Sequence, residues 1–435
     1  MTRKLTAIVC GLIVCACVAF ATGQTDTESQ TLVFWHSFSE GVRLEQMKKN
    51  VAAFQKENPN ITFNVEVYPW ADFTTKWKLG VSTGELPDVS SVQHTQLPLM
   101  NRAGILYGVD TVIDSIGRDK FYENTLRYIT VDGKALAIPF YNIARVLWYR
   151  KDILAKNGIT PPKTWDEYKS LAVKLNSPPD YFGQVVPLSK NAGEPGAWLY
   201  SYVISRGKSF ISDDGKIKLT IPEVYDGVRF WIDMYHAASP EGSLNYGTTE
   251  TSNLWYQGKT AFDINTGFHI DGILRNSPQL DGKIGAVLLP KPTADSKYPS
   301  GFADYMCMTM YKKTKVPQIA GKLLAFLFED ARYIEFMHQI AGGMMPARKD
   351  IAQSAAYKAN DVIKRYQNEV DVVLQAIATC PPTYCDKGIS LAASVLGTNF
   401  FLGQMYQRII VENVPIEVAV RDAEEQFNKV LADYK

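Results

Sequence analysis

The chain has 435 residues with 46 Lys and Arg against 45 Asp and Glu, and nearly half of it is hydrophobic. Near-neutral charge argues against a nucleic-acid or membrane-surface binder, both of which need a basic excess. Length and apolar content without a low-complexity tract predict a folded body of two domains, since one core stops growing below this size.

The first residues carry the strongest local signal. Arg3 and Lys4 precede an apolar run from Leu5 to Ala21, and the chain then turns polar at Thr22-Gly23-Gln24. A basic start, an apolar centre and a small-residue exit form an export signal over residues 1–21, too short for a confident membrane span. Two exits compete. Ala19-Phe20-Ala21 is an A-x-A site that releases a soluble chain starting at Thr22, whereas Val14-Cys15-Ala16-Cys17 resembles a loose lipobox with lipidation at Cys17. The expected location is the periplasm or cell envelope, free or lipid-anchored. Residues 22–31 read as a flexible polar leader.

Structure begins at Leu32-Val33-Phe34-Trp35, a short strand. Leu44, Met47, Val51 and Phe54 then recur at helical spacing up to Asn58-Pro59, and Ile61, Phe63, Val65 and Val67 alternate as a half-buried strand does. Strand, helix, strand is the unit of a parallel sheet. Thr164-Trp165-Asp166-Glu167 is a capping box ahead of an apolar face at Tyr168, Leu171, Ala172 and Leu175. Ile284 to Leu289 reads as a strand stopped by Pro290. Leu323 to Phe328 and Ile334 to Ile340 read as helices closed by Gly342-Gly343, and a last helix opens at Pro415. The pattern is α/β with a mainly helical tail.

Catalytic constellations are missing. There is no G-x-x-x-x-G-K-[ST] loop and no G-x-G-x-x-G after a strand. The five histidines, at 36, 94, 236, 269 and 338, include no H-E-x-x-H and no close metal-ligand pair. Gly388-Ile-Ser-Leu-Ala392 lacks the final Gly of a nucleophile elbow. No catalytic residue, metal or cofactor is therefore assigned. A secreted glycoside hydrolase remains the rival of another class, because two distant acids can meet across a cleft.

Eight Trp, 23 Tyr and 20 Phe suit sugar rings, which stack on flat aromatic faces, although Trp35, Trp77, Trp148, Trp165 and Trp231 also fit core packing. Of the cysteines beyond the export segment, Cys307 reads as a buried strand residue. Cys380 and Cys385 either close a small disulfide in an oxidising compartment or stay free.

A series of motifs then resembles one family from Leu32 nearly to the C-terminus. Phe34-Trp35-His36-Ser37, Asn58-Pro59-Asn60-Ile61, Gly84-Glu85-Leu86-Pro87-Asp88-Val89 and Ala103-Gly104-Ile105-Leu106 come first. Asp132-Gly133-Lys134, Ile138-Pro139-Phe140, Leu147-Trp148-Tyr149-Arg150-Lys151-Asp152 and Pro161-Pro162-Lys163-Thr164 follow, then Tyr256-Gln257-Gly258-Lys259 and Gly342-Gly343-Met344-Met345-Pro346. In this order they resemble the extracellular solute-binding proteins of family 1 that serve ABC importers.

The resemblance implies a maltose-binding-protein-like α/β fold of two lobes, with crossings near Tyr141, Leu288 and Phe328. Residues 32–141 and 288–328 would form the first lobe, and 142–287 and 329–435 the second. A monomer of this kind traps a small polar ligand by hinge closure and docks on the permease subunits of an importer whose ATPase is a separate chain. The expected ligand is a sugar or oligosaccharide. The near alternative is glycerol 3-phosphate or a glycerophosphodiester, since Phe34-Trp35-His36-Ser37 and the last 130 residues look like that branch; His94, however, stands where that branch has an acidic residue.

Ligand sites in such sheets lie at strand ends. Trp35 and Ser37 follow the first strand, and His94 follows Val89-Ser-Ser-Val92. Tyr141 and Asn142 sit at the first crossing, and Thr266 and Phe268 follow Ala261 to Ile264. Gly301, Phe302 and Asp304 precede the strand at Tyr305, and Trp198 lies in a Gly- and Pro-interrupted stretch. These are the expected ligand contacts, and Arg145 is the obvious candidate for a phosphate.

Overall fold

Alternating apolar residues and strand-ending turns build twelve strands among the described residues, which in the computed structural model are 30–39 and 41–434. The export segment with Cys17 and Thr22, and most of the leader, lie outside them. The strands are β1 Gln30–His36, β2 Ile61–Val67, β3 Val89–Gln93, β4 Leu106–Tyr107, β5 Thr130–Val131 and β6 Lys134–Ala135. They continue with β7 Ile138–Ala144, β8 Val146–Arg150, β9 Phe262–Asn265, β10 Ile284–Val287, β11 Ala303–Tyr311 and β12 Met345–Pro346.

The large sheet has the order β12-β7-β11-β3-β1-β2, with β4 on the far end of β11. β1 runs parallel to β2 and β3, as the strand-helix-strand unit requires. β11 runs antiparallel to β3 and β7, so the sheet is mixed, and not the parallel sheet that the first unit suggested. The reason is topological: β7 leaves this sheet for the second lobe, and β11 comes back from it in the opposite direction. The second sheet, β10-β8-β9, is wholly antiparallel.

Each sheet nucleates its own core. Phe34, Val89, Val92, Ile138, Phe140 and Met308 bury around the large sheet. Leu199, Trp165, Tyr168, Trp231, Phe262 and Phe427 bury in the second lobe. Along β8 the faces alternate, with Leu147 in the second core and Val146 and Trp148 on the opposite side. The capping box forms as its spacing predicts: Glu167 N–H donates to Thr164 Oγ1 at 3.2 Å, and the Glu167 carboxylate accepts from Thr164 N–H at 3.3 Å.

The lobe boundaries differ from the expectation. β7 continues in the large sheet to Ala144, so the first crossing falls at Arg145 and not at Tyr141. The second occupies the stretch between β10 and β11, where Leu289 and Phe302 still bury in the second core. The third is not at Phe328. Helix Asp330–His338 stays with the first lobe, where Tyr333 hydroxyl donates to Phe140 O and Phe336 packs at 5.0 Å from Phe140 and 5.1 Å from Phe38. β12 then pairs with β7. Helix Gln367–Thr379 packs on both β7 and β10, and only from Tyr384 does the chain enter the second core. Apolar periodicity marks a helix from Ile334 to Ile340, four residues late at its start and two beyond its end, and carries no information on which sheet will cover it.

Candidate functional site

Three crossings and the end of β3 converge on one polar cluster. Arg145 joins β7 to β8. Its Nη1 pairs with Asp304 at the start of β11, and its guanidinium lies over the Phe302 ring at 5.1 Å. Asp304 is 3% exposed and accepts a second bond from Thr383 Oγ1 at 2.7 Å. His94, fully buried just after β3, accepts the Tyr305 N–H on Nδ1 at 3.3 Å and lies against the Thr383 backbone. Burial lowers its pKa, against the pull of Asp304, so the imidazole is neutral at pH 7. The expected contacts His94, Phe302 and Asp304 thus do come together, and the first residue after β7 supplies the cation between them.

Asn142 lies beside this cluster. It is opposite Tyr305 on β11 and Met345 on β12, it is fully buried, and neither its Nδ2 nor its Oδ1 has a hydrogen-bond partner. Leaving such a group unpaired costs about 1–3 kcal/mol.

A second group forms where β9 ends. Thr266 Oγ1 accepts the Phe268 N–H at 3.4 Å, and Arg43 stands 5.4 Å over the Phe268 ring while hydrogen-bonding the Tyr141 hydroxyl. The loop is braced from behind. Trp148 Nε1–H donates to Asn265 O at 3.0 Å, and His269 Nε2 meets Asp263 Oδ2 at 2.6 Å while its ring stacks on Trp255.

Other expected contacts fall elsewhere. Trp35 packs toward the edge strand, with Tyr68 against its ring at 5.6 Å and the Lys76 ammonium 4.6 Å above it. Ser37 donates its N–H to Ser91 Oγ at 3.0 Å, which ties the end of β1 to β3. Trp198 is a buried residue of helix Glu194–Ile204, its ring 5.0 Å from that of Trp231, and so belongs to the second core. Gly301 is where two crossings touch: a Cβ there would meet Cys380 Sγ at 3.1 Å and Arg145 O at 3.3 Å.

The disulfide does not form. Cys380 and Cys385 are free, buried thiols, Cys380 in the first core and Cys385 in the second. The stretch between them is the third crossing, and it carries Thr383 and Tyr384 into the cluster. Tyr384 takes a left-handed φ of 60° and sits among Asp304, Glu194 and Arg145. Its hydroxyl would be 2.6 Å from a Cβ on Gly196, so the glycine lets the ring reach the start of that helix. Thr383, Tyr384 and Phe400, whose ring is 40% exposed beside Gly193, were not foreseen. The Pro-Pro pair at 381–382 was the available signal of a rigid crossing.

A cavity of about 670 Å³ opens between the lobes on the opposite face of β11 from Asp304. Tyr128, Tyr305 and Pro381 wall it on one side, and Lys208, Ser209 and Tyr298 on the other. None of the expected ligand contacts lines it.

The chain matches the model of the bacterial extracellular solute-binding protein family over residues 40–332, and these include β2 to β11. It belongs to that family. Among its relatives is the putative ABC transporter periplasmic-binding protein YcjN of Escherichia coli (strain K12), 26% identical over 369 residues and covering 84% of each chain. The diacetylchitobiose binding protein DasA of Streptomyces coelicolor is 23% identical over 384 residues, covering 83% of this chain and 84% of the relative. In structure, an ABC transporter solute-binding protein of Agrobacterium radiobacter K84 in complex with ribitol superposes with a TM-score of 0.79 at 19% identity, over 93% of this chain and 99% of the other. Maltose-bound MalE3 of T. maritima superposes at 0.76 and 21% identity, over 92% and 99%. This solute-binding protein is accordingly the binding component of an ABC transporter with the two-lobe MalE-like fold, and it is not an enzyme. The hydrolase alternative falls with that assignment.

Proposed function

We propose that this solute-binding protein captures a neutral sugar, oligosaccharide or polyol between its lobes and delivers it to the permease of its transporter. The observation that carries the reading is the ion pair of Arg145 and Asp304 at the meeting point of the crossings. With Asp304 on Arg145 and His94 neutral, the cluster offers hydrogen-bond donors and acceptors but no uncompensated cation. Hydroxyl-rich, uncharged ligands need that pattern, whereas a phosphate needs a free guanidinium or a set of amide donors. Named binders among the relatives and structural neighbours include proteins for diacetylchitobiose, arabinooligosaccharides, maltose and mannitol. The glycerol phosphate alternative finds no counterpart among these and loses Arg145 to Asp304.

Because the cluster is drawn from crossing segments, contacts made there couple to lobe closure, and ligand bound to both lobes stabilises the closed form. Export and retention near the permease, by a Cys17 anchor or by confinement after cleavage at Ala21, complete the reading.

A thermal-shift screen of sugars, polyols, sugar phosphates and glycerophosphodiesters tests it. A concentration-dependent rise in Tm with an uncharged member is the expected result. A rise confined to the phosphorylated compounds overturns the ligand class. Mass spectrometry of the mature N-terminus separates an acylated Cys17 from a free Thr22.

A further inference from the structure

Two turns from different lobes touch backbone to backbone. One joins β9, in the three-stranded sheet, to helix Phe268–Asn276; the other joins helix Asp330–His338 to β12, which pairs with β7 in the large sheet. A Cβ on Gly267 would lie 1.8 Å from the Gly342 carbonyl oxygen and 3.2 Å from Gly343 Cα. A Cβ on Gly343 would lie 3.1 Å from Phe268 Cα. At Gly343 the Ile340 side chain of the same lobe is nearer still, at 2.5 Å, but at Gly267 every near obstacle is backbone of the other turn, so no residue larger than glycine fits there unless one turn moves as a unit.

Conformation does not explain Gly267. Its φ is −59° and its ψ −10°, a backbone that any residue adopts. What excludes a side chain is the other lobe. The same turn makes a second contact across the lobes, where Arg43 of helix Gly41–Glu57 stacks over Phe268 at 5.4 Å.

We propose that Gly267 is the closure contact of this protein: the lobes shut by seating the 266–268 turn on Gly342 and Gly343, and a methyl group at position 267 holds them apart. The inference rests on the reading of a hinge-closing binder. A contact made only in the closed form raises the closed fraction before ligand arrives, and apparent affinity scales with that fraction. Position 267 therefore controls affinity through closure.

Gly267→Ala in the full chain tests this, with Gly108→Ala as the control, since a Cβ there has its nearest neighbour at 4.0 Å. Small-angle X-ray scattering without ligand should show a larger radius of gyration for Gly267→Ala than for wild type and for Gly108→Ala. Affinity for the uncharged compound that stabilises wild type should fall about tenfold or more. An unchanged radius with a lowered Tm makes the contact a permanent part of the fold and overturns the proposal. Should Gly267→Ala fail to fold, Arg43→Ala removes the other contact of the same turn and should expand the ligand-free protein; an unchanged radius there overturns the proposal too. Failure of the binder reading looks different: wild type itself would respond to no compound in Tm, while the scattering comparison still reports on the contact.

Discussion

Arg145 and Asp304 lie 159 positions apart and meet as a largely buried ion pair where the chain first leaves the large sheet and where it returns to it. The pair pins two crossings to each other, so any movement of the lobes must turn about it or break it. Asp304 is the more deeply buried partner, at 5% side-chain exposure against 20% for Arg145.

That asymmetry orders two substitutions. Arg145→Ala leaves a buried carboxylate with only Thr383 to bond it and should cost about 3–5 kcal/mol. Asp304→Asn leaves a guanidinium that can turn to water and should cost about 2 kcal/mol. Chemical denaturation of both variants checks the order; equal losses would mean the pair is more exposed in solution.

Asn142 should behave unlike a core residue. Asn142→Leu removes two unpaired polar atoms at similar volume, so the ligand-free protein should keep its Tm or gain up to about 2 kcal/mol of stability, while binding of the stabilising compound weakens. Calorimetric titration together with denaturation reads both effects. A large loss of stability would instead assign the amide to a structural water.

His36 carries a pH signature. Burial lowers its pKa from 6.5 to about 4, so the native state resists protonation that the unfolded chain accepts. Its contribution is fully present above pH 6.5 and is lost as the pH falls from 6.5 to 4, by about 3 kcal/mol in all. His94 shifts in the same direction. His36→Gln, which keeps an acceptor for the Phe38 N–H, should flatten the fall in Tm between pH 7 and pH 5 without abolishing it.

The free thiols give a simple test. Reducing agent should leave Tm unchanged, and the intact mass should show no loss of two hydrogens at Cys380 and Cys385. Both thiols should react with an aromatic disulfide reagent only after unfolding, because burial raises their pKa and shields them.

Part of the Arg145 cluster was legible in the sequence. His94, Phe302 and Asp304 sit at strand ends, and the rule that ligands gather there selects them from local pattern alone. The same rule selected Trp35, and the Gly- and Pro-interrupted stretch selected Trp198, yet both rings are committed to packing. At each, the side chain's direction is set by what covers that face, the Tyr68 and Lys76 pair in one case and Trp231 in the other. The Gly and Pro that interrupt the sequence there stand in the first turn of helix Glu194–Ile204, and a ring one turn into a helix can face the core as readily as a ligand.

Local chemistry in the sequence determined the strand-helix-strand opening, the capping box at Thr164 and Glu167, and, through the order of its motifs, membership of a solute-binding family. Each of these depends on residues within a few positions of one another, or on a series that survives without knowledge of contacts. Tertiary structure alone decided the direction of β11, the loyalty of helix Asp330–His338 to the first lobe, and the use of residues 380–385 as a crossing and not a disulfide loop. Pairing across 159 positions, as between Arg145 and Asp304, is settled by which sheets bury which faces, and the hydrophobic free energy that settles it belongs to the whole fold.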